Sequence, residues 1–537
     1  MSSPVNPIPP NGPGALSPAP RRSSLRRLLR VLLCLAVSLA TLVALFYVVE
    51  NWRGKRAWAR YEKELTAKGV SLDFASAVPR PVPDDQNFAM TPFLAPLFDF
   101  APGTQTWRDR TATTNRMAFA HALPDLSSRQ KRNWQQGGKT DWTALLAAFK
   151  DAARNSAGEP SAASQDKPQG SPATDQFQAA TAVLEALKVY DPVLAELRTA
   201  SRRPHARFNI RYEQEDPSGI LLPHLALIKN CVRILSLRAG AELMLGQTEP
   251  ALNDLDLAWY LVGTLREEPI LISQLVRCAS LGIILQPVWE GLADRRWSDA
   301  ELRRLQERFG GLDFLADVRR ALFAEQLFGN RLIEYLRNHP QMLDTIGSLT
   351  DDGSPETGWV TTLIPRGWFY QEQVNYNRAY ETLVRPGVDV GARRVDPHVI
   401  AGNEKTIEQS LRGGVSLLVK HHLLAALLVP AIPQAQRKFA HAQTLVDAGA
   451  LACALERYRL AVGRFPDSLA ALTPEYLQKP LHDLITGEPL HYRLEEGGFV
   501  LYSVGWNARD DGGIVGMSEK IKTNLDLTQG DWVFRIP

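Results

Sequence analysis

A long, mostly apolar stretch without a charged residue lies near the N-terminus of the chain. Nineteen consecutive uncharged residues run from Val31 to Val49. At ~1.5 Å per residue, a helix of this length comes close to the roughly 30 Å hydrocarbon core of a bilayer. Two alternatives are a cleaved signal peptide and a lipoprotein signal. The run exceeds a usual signal-peptide core and Cys34 follows Leu33 rather than a small residue, so the pattern favours a retained single transmembrane helix, a signal anchor over residues 31–49.

Both flanks of this segment are basic. Residues 1–30 begin with a Pro-rich, uncharged stretch and end in five Arg without any acid, which predicts a disordered basic tail. Tyr47 and Trp52 are placed as interfacial aromatic anchors. Since the distal flank is also rich in Lys and Arg, the charge bias alone does not decide orientation. The acid-free Arg cluster favours a cytoplasmic N-terminus.

Helical periodicity dominates the middle of the chain. We expect a juxtamembrane helix and a Pro-rich extended segment over residues 50–154, with the extended segment lying across the surface of the helical body. A flexible linker is expected over 155–175, and an α-helical body over 176–410, where apolar residues recur at three- and four-residue spacing. Ser298 and Glu301 predict a capping box at the start of one of these helices.

Aromatic residues crowd the end of this body. Such a cluster is more often core than binding groove, but aromatics near Arg also favour interfaces, so it is a candidate contact surface. Its members are Trp359, Trp368, Phe369, Tyr370, Tyr376 and Tyr380.

The pattern changes character over residues 411–537. The apolar run Leu423–Ile432 has ten residues, about 15 Å of helix, which is too short to span a bilayer. It leads into a long amphipathic helix with a Pro disturbance. Short alternating strands follow, and Glu-Gly-Gly between two of them predicts a hairpin. The expected fold class is therefore mainly α, a helical-hairpin body with a single N-terminal transmembrane helix, plus a small C-terminal α+β module of a long helix and antiparallel strands.

Composition excludes several classes of protein. The 537 residues are 45% hydrophobic and 22% charged, with a net charge of +3 and four Cys. Disulfide-framework, collagen-like and wholly disordered proteins are excluded. The near-neutral balance also argues against nucleic acid as a partner.

The C-terminal region carries motifs that point to a family. They are a helix ending in Tyr, then Gly-x-Phe-Pro, then Asp-x-x-x-Gly-x-Pro-x-x-Tyr, then Tyr-Ser-x-Gly and an acidic loop. The positions are Tyr458, Gly463, Phe465, Pro466, Asp483, Gly487, Pro489, Tyr492, Tyr502, Ser503, Gly505, Asn507, Asp510 and Asp511. This region resembles the globular part of the major pseudopilin of bacterial type II secretion and pilin-like proteins generally.

The resemblance has consequences for location. The whole chain resembles uncharacterised single-span bacterial envelope proteins, which implies a bacterial inner membrane location with a periplasmic body. A pilin needs its hydrophobic helix at the mature N-terminus after a peptidase site. Because nothing like that site precedes Leu423, we do not expect this chain to enter a pilus fibre by the usual route.

In the pseudopilin family the acidic loop binds calcium. By this resemblance Asn507, Asp510 and Asp511 form a candidate calcium loop, since calcium prefers oxygens of carboxylates, amides and backbone carbonyls. The alternative is ordinary turn chemistry, in which Asp bonds its own backbone and Gly adopts positive φ. Both interpretations stay open at this stage.

No enzymatic motif is evident in the sequence. His482 and Asp483 resemble half of a metal-dependent phosphohydrolase pair, but no HExxH, Gly-x-Ser-x-Gly or P-loop accompanies them. We assign no catalytic or cofactor-binding residue other than the candidate calcium loop. The sequence favours a non-enzymatic membrane-anchored scaffold or adaptor, whose partners are the bilayer and other envelope proteins, in secretion or envelope assembly. The alternative is an envelope hydrolase with an unrecognised site in the helical body.

Overall fold

The computed structural model describes residues 22–124, 134–157, 172–343, 364–411, 420–519 and 524–537. About 64% of the chain is helix and 8% is strand, with a small antiparallel sheet at the C-terminus. The mainly helical class is therefore confirmed. Most of the predicted tail and linker, and Trp359 of the aromatic cluster, lie outside the described residues.

The helices follow one another along the chain, in places separated by long segments such as residues 68–109. They are α1 (Arg22–Ala67), α2 (Arg110–Phe119), α3 (Trp142–Ala157), α4 (Pro172–Leu187), α5 (Asp191–Ala200), α6 (His224–Met244), α7 (Thr248–Thr264), α8 (Leu271–Ala293), α9 (Asp299–Gly310), α10 (Phe314–Asn338), α11 (Arg366–Ala379), α12 (Pro397–Leu411), α13 (Leu423–Leu428) and α14 (Ile432–Val462). The strands are β1 (Val388–Asp389), β2 (Arg394–Val395), β3 (His491–Glu495), β4 (Gly498–Ser503), β5 (Val515–Met517), β6 (Leu525–Gly530) and β7 (Trp532–Ile536).

Several boundaries differ from the predicted ones. Helix α1 begins at Arg22, so the end of the predicted tail is helical, because Arg and Leu are good helix formers that lead directly into the apolar run. Helix α4 begins at Pro172, inside the predicted linker, and Pro suits the first turn of a helix. The capping box predicted for α9 is present, with Ser298 and Glu301 bonding each other's backbone.

The Pro-rich segment after α1 departs most from expectation. We predicted it as extended chain lying across the surface, but it contains short 3₁₀ turns such as Phe88–Met90, which begins where the Asn87 side chain accepts the N–H of Ala89. Phe88, Leu94 and Leu97 are fully buried in the main core. The predicted surface position was wrong, because the apolar residues between the prolines pack into the core.

Helix α14 is surrounded by protein along most of its length. It packs against α8, α9 and α10 and against the C-terminal strands. A Cβ at Gly449 would lie 2.6 Å from the ring of Phe309, so glycine allows the two helices to approach closely. The buried cluster that contains α14 runs from Phe74 to Ile536, so the body and the C-terminal region share one core.

The C-terminal sheet has the order β3-β4-β7 with antiparallel pairing. The predicted hairpin is present, because Glu495 pairs with Gly498 across a tight turn in which Gly497 has a φ of 81°. Strands β5 and β6 form a separate two-stranded ribbon.

Three helical segments of the described chain are long and apolar enough to cross a membrane. They are Arg27–Ala67, Pro217–Met244 and Leu271–Ala293. The most apolar windows of the last two are 67% and 61% buried within the protein, whereas that of the first is 0% buried. This arrangement is compatible with a membrane protein.

Candidate functional site

The first candidate site is the junction between α11 and the part of α1 that directly follows the apolar run. The two helices cross at glycines: a Cβ on Gly54 would overlap the backbone of Gly367, and a Cβ on Gly367 would overlap the carbonyl of Glu50. The Gly367 N–H donates to Asn51 Oδ1 at 2.7 Å. Backbone therefore packs directly on backbone, which fixes the position of α1 against the body.

A buried carboxylate completes this junction. Glu50 follows the apolar run and is only 7% exposed. Its Oε1 accepts from Arg53 Nη1 at 2.5 Å, and its Oε2 accepts from Trp368 Nε1 at 3.1 Å and from Gln371 Nε2 at 3.4 Å. Burial of an acid costs free energy unless hydrogen bonds and an opposite charge compensate it, and here both do.

The aromatic cluster divides into core and junction. Phe369, Tyr376 and Tyr380 are buried, as ordinary core residues are. Trp368 instead contacts Phe46 of the apolar run, with ring centroids 6.3 Å apart, and His421, at 5.0 Å. Trp368, one member of the proposed contact surface, therefore contacts α1 of the same chain.

A cavity of about 930 Å³ lies between α1, the segment after it, α10 and α11. Two of its lining cations bond protein groups. The Arg337 guanidinium stacks over Tyr370 at 4.3 Å and bonds Glu334 at 2.9 Å. The Arg331 guanidinium donates to the carbonyls of Tyr212 and Gln214. These two cations act as braces between α10 and its neighbours.

Buried carboxylates of the body are relevant to the alternative of a hydrolase. Asp254 accepts from Arg198 at 2.6 Å and from Arg238 at 2.7 Å, which links α5, α6 and α7. Burial, and then the charge of Asp254, raise the pKa of Glu242 to about 8. A perturbed carboxyl of this kind is a functional-site candidate, but ion-pair networks also produce it.

Other buried acids of the body also brace its helices. Asp317 accepts from the fully buried Arg277 at 2.8 Å and from Arg266 at 3.1 Å. Glu290 accepts from the hydroxyl of Thr140 at 2.6 Å. These contacts are long-range in the sequence, so no spacing pattern signals them.

The second candidate site is the C-terminal region, where the motif residues meet. Asp483 is 1% exposed and accepts from the N–H of Ile485 at 2.8 Å, the Ser503 hydroxyl at 2.8 Å and the N–H of Val504 at 3.0 Å. A carboxylate that accepts three donors ties the Asp-x-x-x-Gly turn to the end of β4. Asp483 therefore has a structural role in joining this turn to the strand.

Other motif positions have similarly structural roles. The Tyr492 hydroxyl donates to the carbonyl of Pro466 at 2.8 Å, and the rings of Phe465 and Phe499 pack with centroids 5.1 Å apart. Gly463 ends α14 with a φ of 88°, a conformation that favours glycine. The motif thus describes how the long helix is joined to the sheet.

The acidic loop is closed by its own hydrogen bonds. Asn507 Nδ2 donates to Asp511 Oδ2 at 2.7 Å, and Asp510 Oδ1 accepts from the N–H of Gly512 at 2.9 Å. That N–H lowers the pKa of Asp510. Sequence reasoning missed Asp531, which accepts from the N–H groups of Asp511 at 3.2 Å and Gly513 at 2.6 Å. Burial raises the pKa of Asp531.

The geometry of this loop is that of a hydrogen-bonded turn. The part of the chain that the structure describes contains no group of three or more His, Cys, Asp or Glu residues placed to hold a metal. The side chains of Asn507 and Asp510 bond other groups of the loop, and Asp510 Oδ2 also lies 3.6 Å from His491 Nδ1 on β3. The calcium loop therefore stays a prediction.

Comparisons with protein-family models, with curated proteins and with solved structures give no match for this chain. The pseudopilin resemblance accordingly depends on the motif residues alone.

Proposed function

We propose that this chain is a non-enzymatic, single-pass scaffold or adaptor of the bacterial inner membrane, with a cytoplasmic N-terminus and a periplasmic body that binds other envelope proteins. The observation that carries the proposal is the continuity of α1. Its apolar half is exposed, with Leu39 at 64%, while its second half is fixed on α11 by the Gly54 and Gly367 contact. A rigid link of this kind suits a protein that must hold partners at a set height above a membrane.

The C-terminal region supports the same class of function. Its pseudopilin-like motif residues build a stable unit of helix and sheet, and Asp483 and Tyr492 serve packing there. The resemblance favours partners in secretion or envelope assembly. Asp254, Asp317 and Glu290 brace helices of the body, which favours a structural role over hydrolysis.

Topology is tested with reporters fused after Pro537 of the full chain. Alkaline phosphatase is active only outside the cytoplasm, and green fluorescent protein exported unfolded stays dark there. We expect phosphatase activity and no fluorescence. The opposite pair of results contradicts a periplasmic body.

Binding of envelope proteins is tested by crosslinking in cells followed by affinity purification of the chain in detergent. We expect a stoichiometric partner that is retained after washing. Two variants provide a matched comparison. Gly54→Ala should disturb the contact that links the body to the membrane helix, whereas the control, Gly402→Ala, at an exposed helical glycine with open space around it, should not. Purification of the chain alone from both the wild type and the Gly402→Ala variant would contradict the scaffold.

A further inference from the structure

One edge of the body meets the end of the apolar run, where Trp368 contacts both Phe46 and His421. We call it the membrane-proximal edge, formed by the start of α11 and the start of α13. Its members are Arg366, Trp368, Lys420, His421, Leu423 and Leu427. None of these positions belongs to the transmembrane prediction.

Contacts with α1 give the depth of this edge. Phe46 lies three residues before Val49, which is about 4.5 Å along the helix, and its ring packs against Trp368. Glu50, one residue beyond the run, accepts the Trp368 indole N–H. If α1 spans the bilayer, as the proposed function holds, Trp368 lies in the headgroup layer, where tryptophan is enriched.

Helix α13 presents an apolar face beside Trp368. Leu424 and Ala425 are buried, whereas Leu423 and Leu427 are partly exposed. Residues four apart lie on one face of a helix. Neither of these two leucines is among the side chains that pack against the buried clusters of the described chain.

The start of α13 does not need water to satisfy its backbone. The buried Glu372 carboxylate accepts the N–H of Leu423 at 2.8 Å and of Leu424 at 2.9 Å. The first N–H groups of a helix otherwise lack partners. This cap suits a helix that begins in the poorly hydrated layer next to lipid tails.

Charges around the edge match a lipid surface. Arg53, Arg56, Arg366 and Lys420 are exposed, and Arg56 stacks over Trp52 at 5.1 Å. Glu50, the acid one residue beyond the apolar run, is bonded within the protein. Basic and aromatic residues together favour anionic headgroups.

From these contacts we infer that the membrane-proximal edge inserts into the headgroup layer of the bilayer that α1 spans, with anionic lipid as its partner. The body is then seated on the membrane at two places, α1 and α13. The inference rests on the proposed membrane anchor.

The experiment measures the depth of single spin labels on the full chain in liposomes that contain anionic lipid. Cys34, which is exposed, is first replaced by Ser. Cys231, Cys278 and Cys453 remain, because burial raises the pKa of each thiol to about 12 and leaves little reactive thiolate at neutral pH.

Labels are placed with Leu39→Cys in the apolar run, with Leu427→Cys at the edge, and with Leu494→Cys. Leu494 is a 44% exposed leucine on β3, and its cross-strand partner Phe499 packs on Phe465 just beyond the far end of α14. Lys420→Cys provides a second label at the edge, on an exposed residue. Collision rates with oxygen, which partitions into lipid, and with a water-soluble nickel chelate are compared.

We expect the labels at 427 and 420 to lose most of the nickel collision rate seen at 494 and to gain oxygen collisions, at a level between 494 and 39. If the edge labels match 494 while 39 is lipid-exposed, the seated edge is wrong and the anchor stands. If the label at 39 is itself open to nickel, the membrane anchor is wrong, and this inference falls with it.

Discussion

The junction at α1 and the acidic loop near the C-terminus are both polar features, but their bonds differ in range. Asn51 and Glu50 bond residues more than 300 positions away, whereas Asn507 bonds Asp511, four positions away. A local network forms wherever its short segment folds. The long-range network forms only when α1 and the body dock, so its residues report on how the chain is assembled.

The largest effect should come from adding a methyl group at the junction. In Gly54→Ala the new Cβ overlaps the Gly367 backbone, which cannot move aside as a flexible side chain would. We expect the free energy of unfolding in detergent to fall by about 3 kcal/mol or more.

The matched control is Gly402→Ala, a helical glycine on α12 with open space around it. There the same change should add about 0.5–1 kcal/mol, since alanine is the better helix former. Equal stability of the two variants would refute the backbone contact.

Sequence reasoning succeeded where the signal is local. The apolar run of α1, the Ser298 capping box and the hairpin at Gly497 each depend on neighbouring residues, and the structure contains a helix, a cap and a turn at those places. It could not find the crossing of Gly54 with Gly367, because two glycines far apart in the chain carry no spacing signal. Asp531 was missed because it lies 20 and 18 positions beyond Asp511 and Gly513, from whose N–H groups it accepts hydrogen bonds.

The next effect should come from Asp483, the carboxylate that joins the C-terminal turn to β4. Asp483→Ala leaves two backbone N–H groups and the Ser503 hydroxyl without this acceptor. We expect a loss of about 2 kcal/mol in the free energy of unfolding, because buried donors without partners are costly.

Asp467→Ala is the control for this loss, since the Asp467 side chain is 78% exposed in a surface pair with Arg464. Its effect should stay within about 0.5 kcal/mol. A loss of similar size in both variants would mean that Asp483 has no special role in joining the turn to the strand.

A smaller effect should appear in how the free energy of unfolding depends on pH, because the buried Glu372 caps the start of α13. Burial raises the pKa of Glu372 from its ordinary 4.5 to about 7. As pH rises from 4.5 towards 7, the unfolded chain ionises this group while the folded chain keeps it protonated, so its stabilising contribution is lost over that window.

Across this window the wild type should therefore lose about 1–2 kcal/mol more stability than Glu372→Gln. The measurement is the free energy of unfolding in denaturant at pH 4.5, 6 and 7. Glu475→Gln, at an exposed position, should follow the wild type. Parallel curves for Glu372→Gln and the wild type would show that burial does not perturb this carboxyl.

The smallest effect concerns the acidic loop. There a calcium site and a plain turn predict different unfolding midpoints in the presence of calcium. A ligand that binds only the folded state must raise the unfolding midpoint. The calcium prediction expects the midpoint of the full chain to rise in millimolar calcium and to return with a chelator. Asp511→Ala should abolish that rise, whereas Asp467→Ala, outside the loop, should keep it.

An unchanged midpoint in calcium would identify the loop as a turn whose carboxylates accept hydrogen bonds from Gly512 and Asn507, the bonds that the structure shows. The loop would then differ from the junction in range, because its acids would bond only within the C-terminal region, whereas Glu50 and Asn51 bond a helix more than 300 positions away.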